Sequence, residues 1–140
     1  MKSTGTARWE GAGGKVSAAT GLFTDAPYSA KARFEGGTSQ TTPEELIAAA
    51  HAACFSMALN VGLSRAGITA KSIDTKAVVE ILPAQVGFAI SESVLTCTVE
   101  APGADAAKVK EAAEGAKAGC PVSKAIKDNV KITLDLNVKT

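Results

Sequence analysis

The chain has 140 residues, 46% of them apolar and 21% charged, the proportions of an ordinary globular fold at the size of one domain. Fifteen basic residues against fourteen acidic ones leave a formal charge of +1, and aromatic residues make up only 4%, which argues against the basic surface of a nucleic-acid binder. Three cysteines are too few for a disulfide scaffold and suit a reducing compartment, where thiols react rather than staple.

Residues 1–20 lack the contiguous apolar run of a signal peptide, so a cytoplasmic location is the expectation. Short alternating segments over Thr6 to Glu10, Lys15 to Phe23 and Tyr28 to Phe34, broken by Gly11-Ala12-Gly13-Gly14 and Thr24-Asp25-Ala26-Pro27, predict an antiparallel meander. A loop over Gly36 to Thr42 leads to the sharpest helix start in the chain. Thr42-Pro43-Glu44-Glu45 offers an N-cap threonine, proline at the first helical position, and Glu45 placed to complete a capping box. From there the residues are apolar on nearly all sides to Leu63, and Arg65-Ala66-Gly67 provides the stop. The uncharged stretch Ile47 to Leu63 falls short of the ~20 residues that span a bilayer and reads as a buried, central helix.

Ser72 to Leu82 and Val86 to Glu100, separated by Pro83-Ala84-Gln85, alternate as the long strands of a hairpin. Ala104 to Ala118 predicts a second helix capped by Asp105, Gly119 ends it, Cys120-Pro121 opens a short third helix ending near Asp128-Asn129, and Val130 to Val138 forms a last strand. The order β-β-β-α-β-β-α-α-β, with mostly antiparallel pairing, predicts an α+β fold in a single domain spanning 1–140. One hairpin and a meander cover about one side of so apolar a helix. A second copy of the chain is therefore expected to cover the rest, as an obligate homodimer.

Thiol chemistry is the most specific possibility among the side chains. Cys54, on the apolar helix, reads by itself first as an inert core thiol and only second as a reactive one. Cys120 precedes a helix N-terminus, where open backbone N–H groups favour a thiolate. Cys97 alternates with Leu95 and Val99 and belongs to the core. Arg33 closes the third predicted strand and is either a solvated edge residue or a cation placed to favour a thiolate. With Glu45 engaged in capping, Glu44 is free to pair with Arg33. Ten residues of helix put Glu44 ~15 Å along the axis from Cys54, so a shared site needs Arg33 as a bridge or a glutamate from the second subunit. His51 and Cys54 stand three residues apart on one helix face. With Cys120 they form the alternative reading, a non-enzymatic metal or small-ligand binding module. Neither CxxC nor HExxH is present, and no glycine-rich loop opens a helix.

Thr42-Pro43-Glu44-Glu45-Leu46, the run Ala49 to Leu59 with His51 and Cys54, and Ala118-Gly119-Cys120-Pro121-Val122-Ser123 together resemble the OsmC/Ohr family of hydroperoxide reductases. Arg8 to Gly11, Pro27-Tyr28, Arg33 to Gly36 and Ser72 to Thr75 extend the resemblance over nearly the whole chain, and Cys-Pro-Val-Ser in place of Val-Cys-Pro-Tyr-Ser favours the OsmC branch. The resemblance implies an intertwined α+β homodimer, with antiparallel sheets around a long central helix, that reduces organic hydroperoxides and, less well, hydrogen peroxide. It implies Cys54 as the peroxidatic thiol, Cys120 as the resolving thiol in a Cys54–Cys120 disulfide, and Arg33 with Glu44 as the activating pair. No bound cofactor or metal is implied; an external dithiol reductant, in relatives a lipoyl-bearing protein, would close the cycle. Phe34, Phe55 and Met57 are candidates for an apolar substrate pocket.

Overall fold

A computed structural model describes residues 1–140, and the chain divides into two compact units, Met1–Leu46 and Ile47–Thr140. The first unit holds an antiparallel three-stranded sheet of β1 (Gly5–Glu10), β2 (Gly13–Ala18) and β3 (Ala26–Tyr28) in sequence order. Gly14 stands opposite Trp9 on one neighbour and Tyr28 on the other. The two rings meet at 5.7 Å between centroids, and a Cβ on Gly14 would lie 2.4 Å from the Tyr28 ring. A side chain is excluded there because the tyrosine lies over the glycine.

The predicted third strand, Tyr28 to Phe34, is corrected by the structure. Pairing stops at Tyr28, and Ser29 caps a short helix α1 (Ala30–Glu35), its side chain accepting the Ala32 N–H. Alanine, lysine and arginine favour a helix, and a serine in front of them supplies the cap. Arg33 therefore lies in the last turn of a helix and not at a strand end. The predicted second strand is also shorter, ending at Ala18, where a turn begins.

Helix α2 (Pro43–Arg65) starts in the first unit and belongs to the second from Ile47. Thr42 Oγ1 accepts the Glu45 N–H at 3.1 Å. The capping box is only half formed, however, because the Glu45 carboxylate takes the Thr41 hydroxyl instead. At the other end, Gly67 adopts φ +73°, and the amides of Gly67 and Ile68 donate to the carbonyls of Ser64 and Leu63, a Schellman stop.

The second unit contains a sheet in the order β4-β5-β6, formed by β4 (Ser72–Pro83), β5 (Phe88–Glu100) and β6 (Lys131–Lys139). β4 and β5 make the expected antiparallel hairpin, but β6 runs parallel to β5. The two intervening helices, α3 (Ala106–Gly119) and α4 (Pro121–Ile126), carry the chain back to the starting end of β5, which a parallel partner requires. Asp105 caps α3 through the Ala107 N–H, as anticipated.

The core of this unit joins three periodicities. On α2, His51, Phe55, Leu59 and Leu63 recur every fourth residue and are fully buried. On β5, Ser93, Leu95, Cys97 and Val99 alternate inward, and α3 contributes Val109, Ala113 and Ala116. The opposite side of α2 is open in the single chain: Met57 is 72% exposed and Val61 48%. The helix is thus buried along one stripe, and the expectation of cover all round is not met by one copy.

Candidate active site

Cys54 lies halfway along α2, between the buried residues His51 and Phe55, and is itself half-buried. Its thiol meets the junction of α3 and α4. The backbone N–H of Val122 and the side chain of Cys120 lie close enough to act on its titration. Burial raises the Cys54 pKa from its ordinary value; the Val122 N–H pulls the other way, and the neighbouring Cys120 adds to the rise. All three cysteines are free thiols.

Cys120 is fully buried and serves both helices at once. Its backbone N–H closes α3 on the Ala116 carbonyl at 2.9 Å, and its Sγ caps α4 by accepting the Ser123 N–H at 3.3 Å. Pro121 fits the first position of α4, where no N–H is needed. The two thiols expected to work together are therefore brought together by a break between helices, one thiol on a rigid helix and the other at a cap.

Cys54 opens onto a groove of about 830 Å³ whose walls include Met57, Val61, Arg65, Ala112 and Pro121. Met57 lines it as anticipated, whereas Phe55 is fully buried in the core and cannot.

Within the first unit, Arg33 and Glu44 form a two-pronged ion pair. Arg33 Nε donates to Glu44 Oε2 at 3.1 Å and Nη2 to Oε1 at 2.9 Å. The glutamate side chain is 10% exposed and the arginine 31%. Two parallel N–H···O bonds fix the guanidinium plane, and the Phe34 ring lies 6.0 Å from the guanidinium carbon. Glu44 sits in the first turn of α2, where the helix dipole favours a carboxylate.

His51 is placed differently from the metal-ligand reading. Nδ1 lies 2.7 Å from Ser93 Oγ, and Nε2 lies 2.9 Å from Ser123 Oγ. Both ring nitrogens are engaged, burial pushes the imidazole pKa down, and nowhere do three His, Cys, Asp or Glu side chains converge as metal ligands. Ser93 and Ser123 were not singled out by sequence reasoning. The signal was a serine on the inward face of β5, in step with Leu95, Cys97 and Val99, where a polar residue needs a buried partner.

Cys97 lies in the core, receives the Thr75 hydroxyl at 3.5 Å, and has its pKa raised by burial. It has no part in the paired-thiol site.

Sequence comparison places this arrangement among known proteins. The profile of OsmC-like proteins matches residues 36–135. Peroxiredoxin OsmC of Escherichia coli is 47% identical over 97% of this chain and 96% of its own length. An organic hydroperoxide resistance protein of Xanthomonas axonopodis pv. citri is 32% identical over 71% of the chain and 69% of its own. Among solved structures, the organic hydroperoxide resistance protein OhrB of Bacillus subtilis superposes with a TM-score of 0.78 at 29% identity, covering 98% of both chains.

Proposed function

Since the chain belongs to the OsmC-like family, we propose that it is a thiol-dependent peroxidase reducing organic hydroperoxides, with Cys54 as the attacking thiol and Cys120 as the resolving one. The observation that carries this reading is the nearness of the Cys120 side chain to the Cys54 thiol, which opens onto a largely apolar groove. The Cys54 thiolate attacks one peroxide oxygen, the O–O bond breaks, and the other oxygen leaves with a proton as the alcohol. The resulting sulfenic acid condenses with Cys120, releasing water and forming the disulfide. An external dithiol restores both thiols by exchange, and no prosthetic group is needed. A lipoyl-bearing protein is the proposed reductant.

Burial disfavours the Cys54 thiolate, so the attacking form needs a cation. Arg33, whose plane Glu44 fixes, is the cation we propose for it, on its match to the family motif, with the further role of stabilising charge that develops on the leaving oxygen. The apolar groove walls favour an alkyl hydroperoxide over hydrogen peroxide. The family match runs from the first unit through the second, which supports 1–140 as one functional domain. We place it in the cytoplasm, where a reducing milieu keeps the thiols ready.

The metal or ligand-module reading loses its support because both His51 nitrogens already have serine partners. The test is steady-state consumption of cumene hydroperoxide with a dithiol reductant. Cys54→Ser is expected to abolish it and Cys120→Ser to allow about one turnover before Cys54 over-oxidises; sustained turnover by Cys54→Ser would contradict the assignment.

A further inference from the structure

A line of hydrogen bonds extends behind the resolving thiol. From β5 to the α3–α4 junction it runs Ser93 Oγ, His51 Nδ1 at 2.7 Å, His51 Nε2 to Ser123 Oγ at 2.9 Å, and Ser123 Oγ to Cys120 Sγ at 3.1 Å. Ser93, His51 and Cys120 are 0% exposed and Ser123 1%. Every link is protein, drawn from three elements far apart in sequence, and the reaction described above uses none of them except its last sulfur.

Beside a Cys120 thiolate, the donor inventory fixes the direction of this chain. A thiolate only accepts, so beside a Cys120 thiolate the Ser123 hydroxyl must donate to Sγ. Its oxygen is then the acceptor for His51 Nε2–H. A neutral imidazole has one N–H, so Nδ1 accepts from the Ser93 hydroxyl. This arrangement satisfies every group without charging the ring. The alternative, His51 as a base that takes the Cys120 proton through Ser123, would put an imidazolium among hydroxyls with no carboxylate bonded to either nitrogen. Such a buried, unpaired charge is costly, and the burial that lowers the imidazole pKa acts in the same direction.

We propose that Ser93–His51–Ser123 is a positioning device that keeps a hydroxyl hydrogen directed at Cys120 Sγ, stabilising this sulfur as a thiolate when it closes the disulfide and when it departs on reduction. Together with the Ser123 N–H, Cys120 then receives two hydrogen bonds from one residue. In the closing step Cys120 attacks the Cys54 sulfur, the S–S bond forms and the S–O bond breaks. The hydroxide leaves with the proton given up by Cys120 as water; the Cys120 sulfur is oxidised and the Cys54 sulfur reduced. On reduction a reductant thiolate attacks Cys54, and Cys120 leaves with its electron pair toward the waiting hydroxyl. His51 acts through Ser123 and touches no reacting atom, so it is a positioning residue. The inference rests on the assignment of Cys120 as the resolving thiol.

The test mixes the reduced full-length protein with cumene hydroperoxide and quenches it at intervals. Mass spectrometry then separates the sulfenic (trapped), sulfinic and disulfide forms of Cys54. Ser123→Ala is expected to slow disulfide formation roughly tenfold, the scale of one hydrogen bond to a charged group, and to divert Cys54 to sulfinic acid in excess peroxide; Ser123→Thr, which keeps the hydroxyl, restores closure. His51→Gln, retaining an amide N–H toward Ser123, is expected to close faster than His51→Leu. That comparison leaves the serine intact, so it does not depend on the Ser123 variants folding. In the reduced wild type, nitrogen NMR of the single histidine should show a neutral ring protonated at Nε2. A folded Ser123→Ala that closes at the wild-type rate, or His51→Gln and His51→Leu closing equally fast, would overturn the inference. A wild type that consumes peroxide without linking Cys54 to Cys120 would instead overturn the assignment beneath it.

Discussion

Cys54 carries opposing demands. It must be buried enough to exclude water from the sulfenic acid, and burial raises its pKa and thins the thiolate population at neutral pH. An opposite charge favours the ionised form of an acid, lowering its pKa by about 1–3 units for an aspartate beside an arginine, and a shift of this kind at Cys54 is what we propose for Arg33. Arg33→Ala is accordingly expected to slow the peroxide-oxidation step at pH 7 by about tenfold or more and to recover rate as pH rises. Stopped-flow oxidation of Cys54 between pH 6 and 10 checks this; a loss independent of pH would contradict it. Cys97 offers a cleaner reading of burial alone. Its folded pKa lies above the ordinary 9.0, so above pH 9 the unfolded chain releases a proton that the folded chain retains. The stabilising contribution is full below that point and is lost as pH rises through the folded pKa. Urea melts of the wild type should lose stability above pH 9, and Cys97→Ala, though less stable at pH 7, should lose less over the same range. Both thiol positions and the Arg33–Glu44 pair were legible because each sits in a local motif. The Ser93–His51–Ser123 chain was not, since its members come from β5, α2 and α4 and only folding brings them together.

Elements with strong local signals matched their expected bounds. α2 has a threonine cap, a proline and a glycine stop, and α3 has an aspartate cap, so local chemistry and tertiary structure agree. The short segments read poorly. Tyr28 to Phe34 alternates as a strand would, yet the Ser29 cap and the helix formers after it win. The parallel pairing of β6 depends on a long-range return that no local pattern encodes. Gly14 shows how a residue dismissed as turn material can govern an element. A Cβ there meets the Tyr28 ring at 2.4 Å, so Gly14→Ala must displace the tyrosine and break its contact with Trp9. A loss of roughly 1–3 kcal/mol is expected, together with a changed emission of the single tryptophan; an unchanged melting curve and spectrum would contradict the packing described.

In the whole molecule, the apolar helix is finished on only one side. Met57 and Val61 remain exposed on α2, as walls of the groove that Cys54 lines, and a monomer gains nothing from leaving such surface in water. The homodimer proposed from the sequence answers this. Sedimentation should give twice 14.1 kDa, and Val61→Glu, placed on the open face, should favour the single-chain mass; a wild type sedimenting as one chain would remove the dimer from the account. The central claim is chemical, and peptide mapping by mass spectrometry after one equivalent of cumene hydroperoxide tests it most directly. The predicted result is a Cys54–Cys120 disulfide with Cys97 still a free thiol; two unlinked thiols at Cys54 and Cys120 after the peroxide is consumed would contradict it.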